Sequence, residues 1–115
     1  MRKLLIPLLA AFALPTAVNA SGFWLLTTTV KKPTAFKEYV QEFKPWLKSV
    51  GGSLVMKDSD PQIVEGRGGK LSVVISFPSK RAAIEAYNSP EYRELTKKRQ
   101  ASTKRTNLII IGLNK

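Results

Sequence analysis

The sequence contains no cysteine and no histidine among its 115 residues. Without them the chain cannot form a thiolate nucleophile, a Ser-His-Asp triad, a zinc site of the usual ligands, a His-held haem or a disulfide bond. Acidic residues are also few, since Asp and Glu number 8 against 19 Lys and Arg, and the formal net charge is +11. This length allows one small domain. We therefore predict a single domain with no metal site and no cofactor.

The first twenty residues differ in composition from the rest of the chain. Two basic residues precede an apolar run at positions 4–14, and Val18 and Ala20 occupy the two small-residue positions that signal peptidase reads. Eleven apolar residues are too few for a bilayer-spanning helix, which needs roughly 20. We interpret residues 1–20 as a cleaved signal peptide and residues 21–115 as a domain exported to the bacterial periplasm or medium, with no transmembrane segment left in it.

The exported part begins with a strand pattern followed by a helix pattern. Residues 23–30 are aromatic, β-branched and aliphatic, which favours a strand. Apolar residues then recur every three or four positions over residues 36–50, which predicts an amphipathic helix with Thr34 as its N-cap. Gly51 and the glycine after it end this helix. Pro45 lies inside it, and we expect a kink or a split in the last turn.

Two further strands follow. Residues 54–57 form a short one, with a possible extension at 63–65, and residues 70–77 show the clearest alternation of the chain. The alternation predicts that Leu71, Val73, Ile75 and Phe77 share one face.

Serine and proline divide the last part of the chain. Ser79 is a suitable N-cap for a second helix, and Ser89-Pro90 interrupts it before a further helical segment. Residues 108–111 form an apolar last strand. The resulting order, βαββαβ, predicts an α+β ferredoxin-like fold in which a four-stranded antiparallel sheet carries its helices on one face.

Such a sheet leaves its second face open. By alternation this face holds either Trp24, Leu26 and Val74 or their neighbours. An apolar open face favours a partner sheet, and the simplest partner is a second copy of the chain in an isologous homodimer. The exported part needs such cover, because its 95 residues carry a net charge of +9 and no disulfide.

Several short segments form a recognisable pattern, of which Phe77-Pro78-Ser79 and Asn88-Ser89-Pro90-Glu91-Tyr92 are the most specific. The others are residues 36–39, 51–52, 64–66, 74–76, 82–83, Tyr87 and Arg99. Together they resemble domain-of-unknown-function family 1330. The family is similar to the dimeric α/β barrel proteins, in which two ferredoxin-like subunits pack sheet to sheet. The resemblance implies a homodimer but no particular reaction.

The same resemblance suggests where a ligand would bind, because dimeric α/β barrels usually hold ligands between the helices and the sheet. The polar residues expected near that place are Tyr39, Glu65, Tyr92 and Arg99. Tyrosine hydroxyls would donate to a carbonyl, Glu65 would act as a base, and Arg99 would hold a carboxylate. The alternative is structural: the tyrosines complete the core edge, and Arg99 pairs with Glu65 or with the end of its helix.

A basic cluster marks the last part of the chain. It comprises Arg93, Lys97, Lys98, Arg99, Lys104 and Arg105. We interpret it as a solvated face, with binding to an anionic envelope surface as the alternative. Sequence-specific nucleic-acid binding is not expected, since no reading motif accompanies the charge and export removes the protein from most nucleic acid.

These observations lead to one functional hypothesis and two rivals. We expect a homodimeric exported protein, non-enzymatic or of uncharacterised role, that binds a small organic molecule or an envelope partner. One rival is a cofactor-independent enzyme, similar to a monooxygenase or an isomerase, that uses Glu65, Tyr39 or Arg99. The other is adhesion to an anionic surface through the basic cluster. A deep pocket lined by Glu65, Tyr39 and Arg99 would favour the enzyme, whereas a filled helix–sheet interface would weaken both ligand hypotheses.

Overall fold

A computed structural model describes residues 20–113 of the chain. Apart from Ala20, the predicted signal peptide lies outside these residues. The elements in chain order are β1 (Gly22–Val30), α1 (Pro33–Ser49), β2 (Ser53–Asp58), β3 (Leu71–Phe77), α2 (Lys80–Asn88), α3 (Pro90–Ser102) and β4 (Thr103–Gly112). Within the described part, no helix combines the length and apolar character that crossing a bilayer requires.

The four strands form one antiparallel sheet in the order β2-β3-β1-β4. The two halves of the chain therefore interleave, with the first and third strands at the centre. The three helices pack on one face, as the ferredoxin-like arrangement predicted.

The register of the strands shows which residues face the helices. Trp24 pairs with Ile75 and Ile110, and Leu26 pairs with Val73. The predicted face of β3 is confirmed, because Leu71, Ile75 and Phe77 are buried beneath the helices. The prediction that Trp24 and Leu26 share a face with Val74 is wrong: Val74 pairs with Leu25 on the opposite, open face.

Trp24 lies at the centre of the core and is 1% exposed. Five aromatic rings have their centroids within 6.3 Å of its own, and its indole nitrogen donates to the Ala83 carbonyl over 2.9 Å. The five are Phe43, Trp46, Phe77, Tyr87 and Tyr92. The indole thus places its large apolar surface among aromatic partners and satisfies its one polar atom.

The first helix begins two residues earlier than its predicted N-cap implies. It starts at Pro33, the residue in the N-cap position is Lys32, and no side chain caps it. Thr34 as the N-cap is therefore wrong, because proline at the first helical position supplies a helical φ and lacks an N–H that would have no partner there. The helix also runs unbroken through Pro45, so no split of its last turn occurs.

The two later helices begin as the sequence predicted. The hydroxyl of Ser79 accepts a hydrogen bond from the Ala82 amide at 3.0 Å, and that of Ser89 accepts one from the Tyr92 amide at 3.2 Å. Each serine satisfies one of the backbone donors left free at a helix start.

The link between β2 and β3 contains no strand, so the predicted extension at 63–65 is wrong. The second strand ends at Asp58, whose carboxylate accepts from the Asp60 amide at 2.9 Å and turns the chain away from the sheet. A glycine with a φ of +79° at position 66 continues this irregular path. The loop over residues 59–70 is therefore a long, mostly exposed connection.

The last strand is longer than predicted, because it begins at Thr103 directly after α3. A bulge interrupts its pairing with β1 opposite Thr28, and within this bulge Arg105 adopts a φ of 57°. Two members of the basic cluster, Lys104 and Arg105, thus lie on a strand.

Candidate ligand-binding site

A cavity of about 500 Å³ lies between α1 and the β2–β3 side of the sheet. Its apolar walls comprise Leu26, Phe36, Val40, Phe43, Leu47, Leu54, Leu71 and Val73. Its other lining residues are Tyr39, Lys44, Lys48, Gly52, Ser53 and Lys57. A volume of this size lies within the usual range of small-molecule sites.

The local sequence of the helix and the strands accounts for this wall. Phe36, Val40, Phe43 and Leu47 recur at spacings of three and four, so they project from one side of α1 toward the sheet. Leu26 and Val73 are opposite one another in the register and form part of the floor. The three helices cover the sheet unevenly, and Leu54 on β2 is 52% exposed although it pairs with buried Ile75. The uncovered β2 side therefore leaves the space that forms the cavity.

Two glycines lie where α1 turns into β2, and one of them, Gly52, lines the cavity. Gly51 has a φ of +78°, a conformation that L-residues with a side chain rarely adopt. A Cβ on Gly52 would collide with the side chain of Leu47. The pair thus allows the chain to turn closely under the end of the helix.

Three of the predicted site residues meet in a buried polar chain. The hydroxyls of Tyr39 and Tyr92 are hydrogen-bonded at 2.9 Å, and Arg99 Nε donates to the Tyr92 hydroxyl at 3.2 Å. Arg99 Nη2 donates to the Thr96 hydroxyl at 2.8 Å. Of these residues, only Tyr39 also lines the cavity. The chain therefore connects the cavity wall to a buried cation.

Arg99 is 3% exposed and pairs with no carboxylate among residues 20–113. Arg99 belongs to the last turn of α3, but its guanidinium points back along the helix toward Thr96 and Tyr92 and does not bond to the terminal carbonyls. Its hydrogen bonds to Tyr92 and Thr96 replace part of the water that burial removes. The structure thus places it within the protein and not at the cavity wall.

Burial raises the pKa of Tyr39 far above its ordinary value of 10.0. The neighbouring Tyr92 raises this pKa further, and Arg99 lowers it by a smaller amount. The hydroxyl of Tyr39 consequently stays protonated at neutral pH. Either hydroxyl of the Tyr39–Tyr92 pair can donate the hydrogen bond between them. In its protonated form Tyr39 is thus suited to hydrogen bonding and not to act as a base.

The structure places Glu65 apart from the other three candidates. It lies on the exposed loop between β2 and β3 and is not among the residues that line the cavity. It forms no ion pair with Arg99. Within residues 20–113, no three residues of the His, Cys, Asp and Glu types come together as a metal site would require.

The basic cluster is divided between two elements. Arg93, Lys97 and Lys98 lie exposed on α3, where Lys97 pairs with Glu94 at 3.1 Å and Lys98 pairs with Glu42 of α1. Arg99 is buried, and the remaining two members belong to β4. Neighbours in the sequence therefore do not form one continuous basic helix face.

Sequence reasoning missed the three lysines that line the cavity. Lys44 and Lys48 belong to the helix predicted from apolar spacing, and Lys57 ends the predicted strand at 54–57. Their charges are typical of solvent-facing positions, so no local pattern distinguishes them. Only the approach of β2 to α1 places all three around one opening.

Comparison with models of known protein families shows which family this chain belongs to. The model of a domain of unknown function, DUF1330, matches residues 21–113. The chain belongs to the DUF1330 family. The comparison with curated proteins gave no match.

Solved structures share the fold of this DUF1330 chain at low sequence identity. RPA0582, a protein of unknown function from Rhodopseudomonas palustris, is 20% identical, with a TM-score of 0.66 and coverage of 92% of this chain and 93% of that one. A hypothetical Arabidopsis thaliana protein is 15% identical, with a TM-score of 0.60 and coverage of 84% and 90%. SnoaB, a cofactor-independent oxygenase from Streptomyces nogalater, is 12% identical, with a TM-score of 0.57 and coverage of 84% and 95%. At these identities the likeness shows the α+β ferredoxin-like fold alone.

Proposed function

We propose that this DUF1330 protein binds a small, largely apolar organic molecule in the cavity between α1 and the sheet. The observation that carries the proposal is the cavity itself, an apolar space of about 500 Å³ beside the aromatic core. Well-packed interiors contain few voids larger than a water molecule. An apolar pocket with a few polar groups is the usual form of a ligand site.

Tyr39 supplies the polar contact that would orient the ligand. Its ring contributes to the wall, and its hydroxyl ends the hydrogen-bonded chain from Arg99. We infer that a polar group of the ligand forms a hydrogen bond with the Tyr39 hydroxyl.

The enzyme hypothesis has less support from the arrangement. Of its three candidate groups, Tyr39 alone lines the cavity, and the high pKa of Tyr39 makes it a poor base at neutral pH. The carboxyl candidate, Glu65, belongs to the exposed loop and does not line the cavity. The cavity therefore favours binding over catalysis.

Filling the cavity tests the proposal. Val40 lies on the wall, and Val40→Trp would occupy much of the space; Ile84→Trp makes a similar change on α2, away from the cavity. The probe is N-phenyl-1-naphthylamine, a neutral dye whose fluorescence rises in apolar surroundings. We expect saturable binding to the wild type and to Ile84→Trp, and at least tenfold weaker binding to Val40→Trp.

Circular dichroism and thermal unfolding would verify that both variants fold. Equal dye binding by the two folded variants, or no saturable binding to the wild type, would refute the proposed site. Native mass spectrometry of protein purified from its own source would identify a resident small molecule directly.

We further propose that the protein is a homodimer formed through the open face of the sheet. That face carries Phe23, Leu25, Met56, Val74, Ile109 and Ile111, as the strand register requires. Met56 is 59% exposed and Ile109 is 47% exposed. Contiguous apolar residues on a sheet face are typical of a protein interface, and a second copy offers a self-complementary cover.

Export is the remaining part of the proposal and depends on the sequence of residues 1–20. The basic start, the short apolar run and Ala20 support cleavage and delivery to the periplasm or medium. In that setting the binding site would meet small molecules of the cell envelope.

A further inference from the structure

The opening of the cavity carries three lysines and no acidic residue. Lys44, Lys48 and Lys57 are exposed and belong to the lining, whereas no Asp or Glu does. Lys44 and Lys48 are four residues apart on α1 and so share one face of the helix. Lys57 reaches the same opening from β2, where it pairs with Val73 of the cavity floor.

In the part of the chain that the structure describes, these three lysines form no ion pair. The ion pairs among residues 20–113 are Lys97 with Glu94 and Lys98 with Glu42, and neither includes a lysine of the opening. Three ammonium groups around an apolar mouth produce a positive potential that a low-dielectric wall strengthens. The three ammonium groups repel one another when the site is empty. An anion bound at the opening would relieve this repulsion, so anion binding is favoured there.

The interior of the cavity suits a different chemistry from its opening. Leucine, valine and phenylalanine side chains form most of the wall, and Tyr39 is its buried polar contact. A ligand that satisfies both regions has an apolar body and a single anionic group at one end.

We propose that the cavity selects amphipathic anions, with an alkyl or aromatic body inside and a carboxylate, sulfate or phosphate group held by Lys44, Lys48 and Lys57. This inference rests on the proposed function, because it specifies the ligand class of the same site. The lysine ammonium groups form ion pairs and hydrogen bonds with the head group. Contact with the apolar wall supplies most of the affinity.

The test compares three probes that share one alkyl chain and differ in head group: octanoate, octan-1-ol and octylammonium. Isothermal titration calorimetry with the purified protein, below the micelle concentration of each probe, gives the three dissociation constants. We expect octanoate to bind about tenfold more tightly than octan-1-ol and octylammonium to bind most weakly. Salt raised from about 0.05 M to about 0.5 M should weaken octanoate binding several-fold and leave octan-1-ol binding unchanged.

Charge-neutral variants locate the effect. Lys44→Gln, Lys48→Gln and Lys57→Gln should each weaken octanoate about two- to fivefold, and the triple variant about tenfold or more, with octan-1-ol affected less than twofold. Lys37→Gln is the matched control, because Lys37 is an exposed lysine on the same helix outside the cavity lining. It should leave the binding of both probes unchanged.

The outcomes separate the two proposals. Equal affinity for octanoate and octan-1-ol, or equal weakening by Lys37→Gln and the triple variant, would overturn anion selection and leave the cavity as a binding site. Octanoate binding that survives Val40→Trp would place the anion elsewhere and would also overturn the inference. Failure of all three probes and of the neutral dye to bind would remove the proposed function itself.

Discussion

At the scale of single residues, Tyr92 connects the cavity wall to the buried charge. Its hydroxyl bonds to Tyr39 on one side and accepts from Arg99 on the other. It lies in the aromatic core, with Trp46 stacked on it at a centroid distance of 5.0 Å. Loss of this one oxygen therefore affects two other buried polar groups.

Tyr92→Phe should destabilise the protein by about 2 kcal/mol, because it leaves both the Tyr39 hydroxyl and Arg99 Nε without this partner in a buried environment. Tyr39→Phe removes the end of the chain and should cost less, about 1 kcal/mol. Urea unfolding followed by tryptophan fluorescence would measure both. Equal losses from the two variants would contradict the central role of Tyr92.

The raised pKa of Tyr39 predicts that stability depends on alkaline pH. In the folded state the phenol keeps its proton, whereas in the unfolded state it releases the proton near its ordinary value of 10.0. Above that pH the unfolded chain binds fewer protons than the folded one, so the free energy of unfolding decreases as pH rises. Below it the contribution of Tyr39 is fully present.

Unfolding measured from pH 8 to about 11.5 should show this decrease, and Tyr39→Phe should reduce its slope by up to about 1.4 kcal/mol per pH unit. Tyr87→Phe is the control, because that hydroxyl lies in the same aromatic cluster but bonds to neither Tyr92 nor Arg99. An unchanged slope in Tyr39→Phe would show that the phenol titrates alike in both states.

At the scale of secondary structure, the two serine caps and the proline start of α1 show how local sequence sets the helix ends. Ser79 and Ser89 accept hydrogen bonds from the first turns of α2 and α3. The first helix depends instead on Pro33, and the hydroxyl of Thr34 caps nothing. Three positions that look alike in the sequence therefore contribute differently.

Ser79→Ala and Ser89→Ala should each destabilise the fold by about 1 kcal/mol, because an N-terminal backbone donor loses its acceptor. Thr34→Ala should change stability by less than about 0.5 kcal/mol, since it removes no cap. Thermal unfolding of the three variants would compare them. A loss at Thr34 as large as at the serines would show that its hydroxyl does cap the helix.

At the scale of the whole molecule, the sheet separates two surfaces with different chemistry. One face carries the helices, the aromatic core and the cavity, and the other exposes several apolar side chains, among them Met56, Ile109 and Ile111. With 95 residues after the predicted cleavage, such a chain buries only a small apolar core, and it has no disulfide to stabilise it further. Cover for the open face would add stability that the monomer lacks.

Val74→Lys should convert the proposed homodimer into a monomer, because Val74 lies between Leu25 and Met56 in the middle of the open face and a buried lysine there would have no partner. Val64→Lys, on the exposed loop, is the matched control. Size-exclusion chromatography with light scattering would give the masses. A monomeric wild type, or a dimer unaffected by Val74→Lys, would contradict the proposal.

Cleavage after Ala20 is a separate prediction about the whole chain. Mass spectrometry of the protein recovered from the envelope of its own cells should give a mass that corresponds to Ser21 as the first residue. An intact N-terminus on the mature protein would contradict the export assignment.

The sequence by itself determined the order of elements, the two serine caps, the alternation along β3 and the family. The caps and the alternation depend on neighbours within a few residues. The start of α1 differed from the prediction because Pro33 takes the first helical position, and no strand forms at 63–65, in the irregular loop that follows the turn at Asp58.

Only the tertiary structure decided which residues form the site. Tyr39, Tyr92 and Arg99 come from two helices, and Lys57 joins Lys44 and Lys48 across the space between sheet and helix. The cavity exists because the helices cover one side of the sheet more fully than the other, a property of packing that no single segment encodes. Contacts between distant segments depend on how whole elements approach one another, so local sequence patterns did not reveal them.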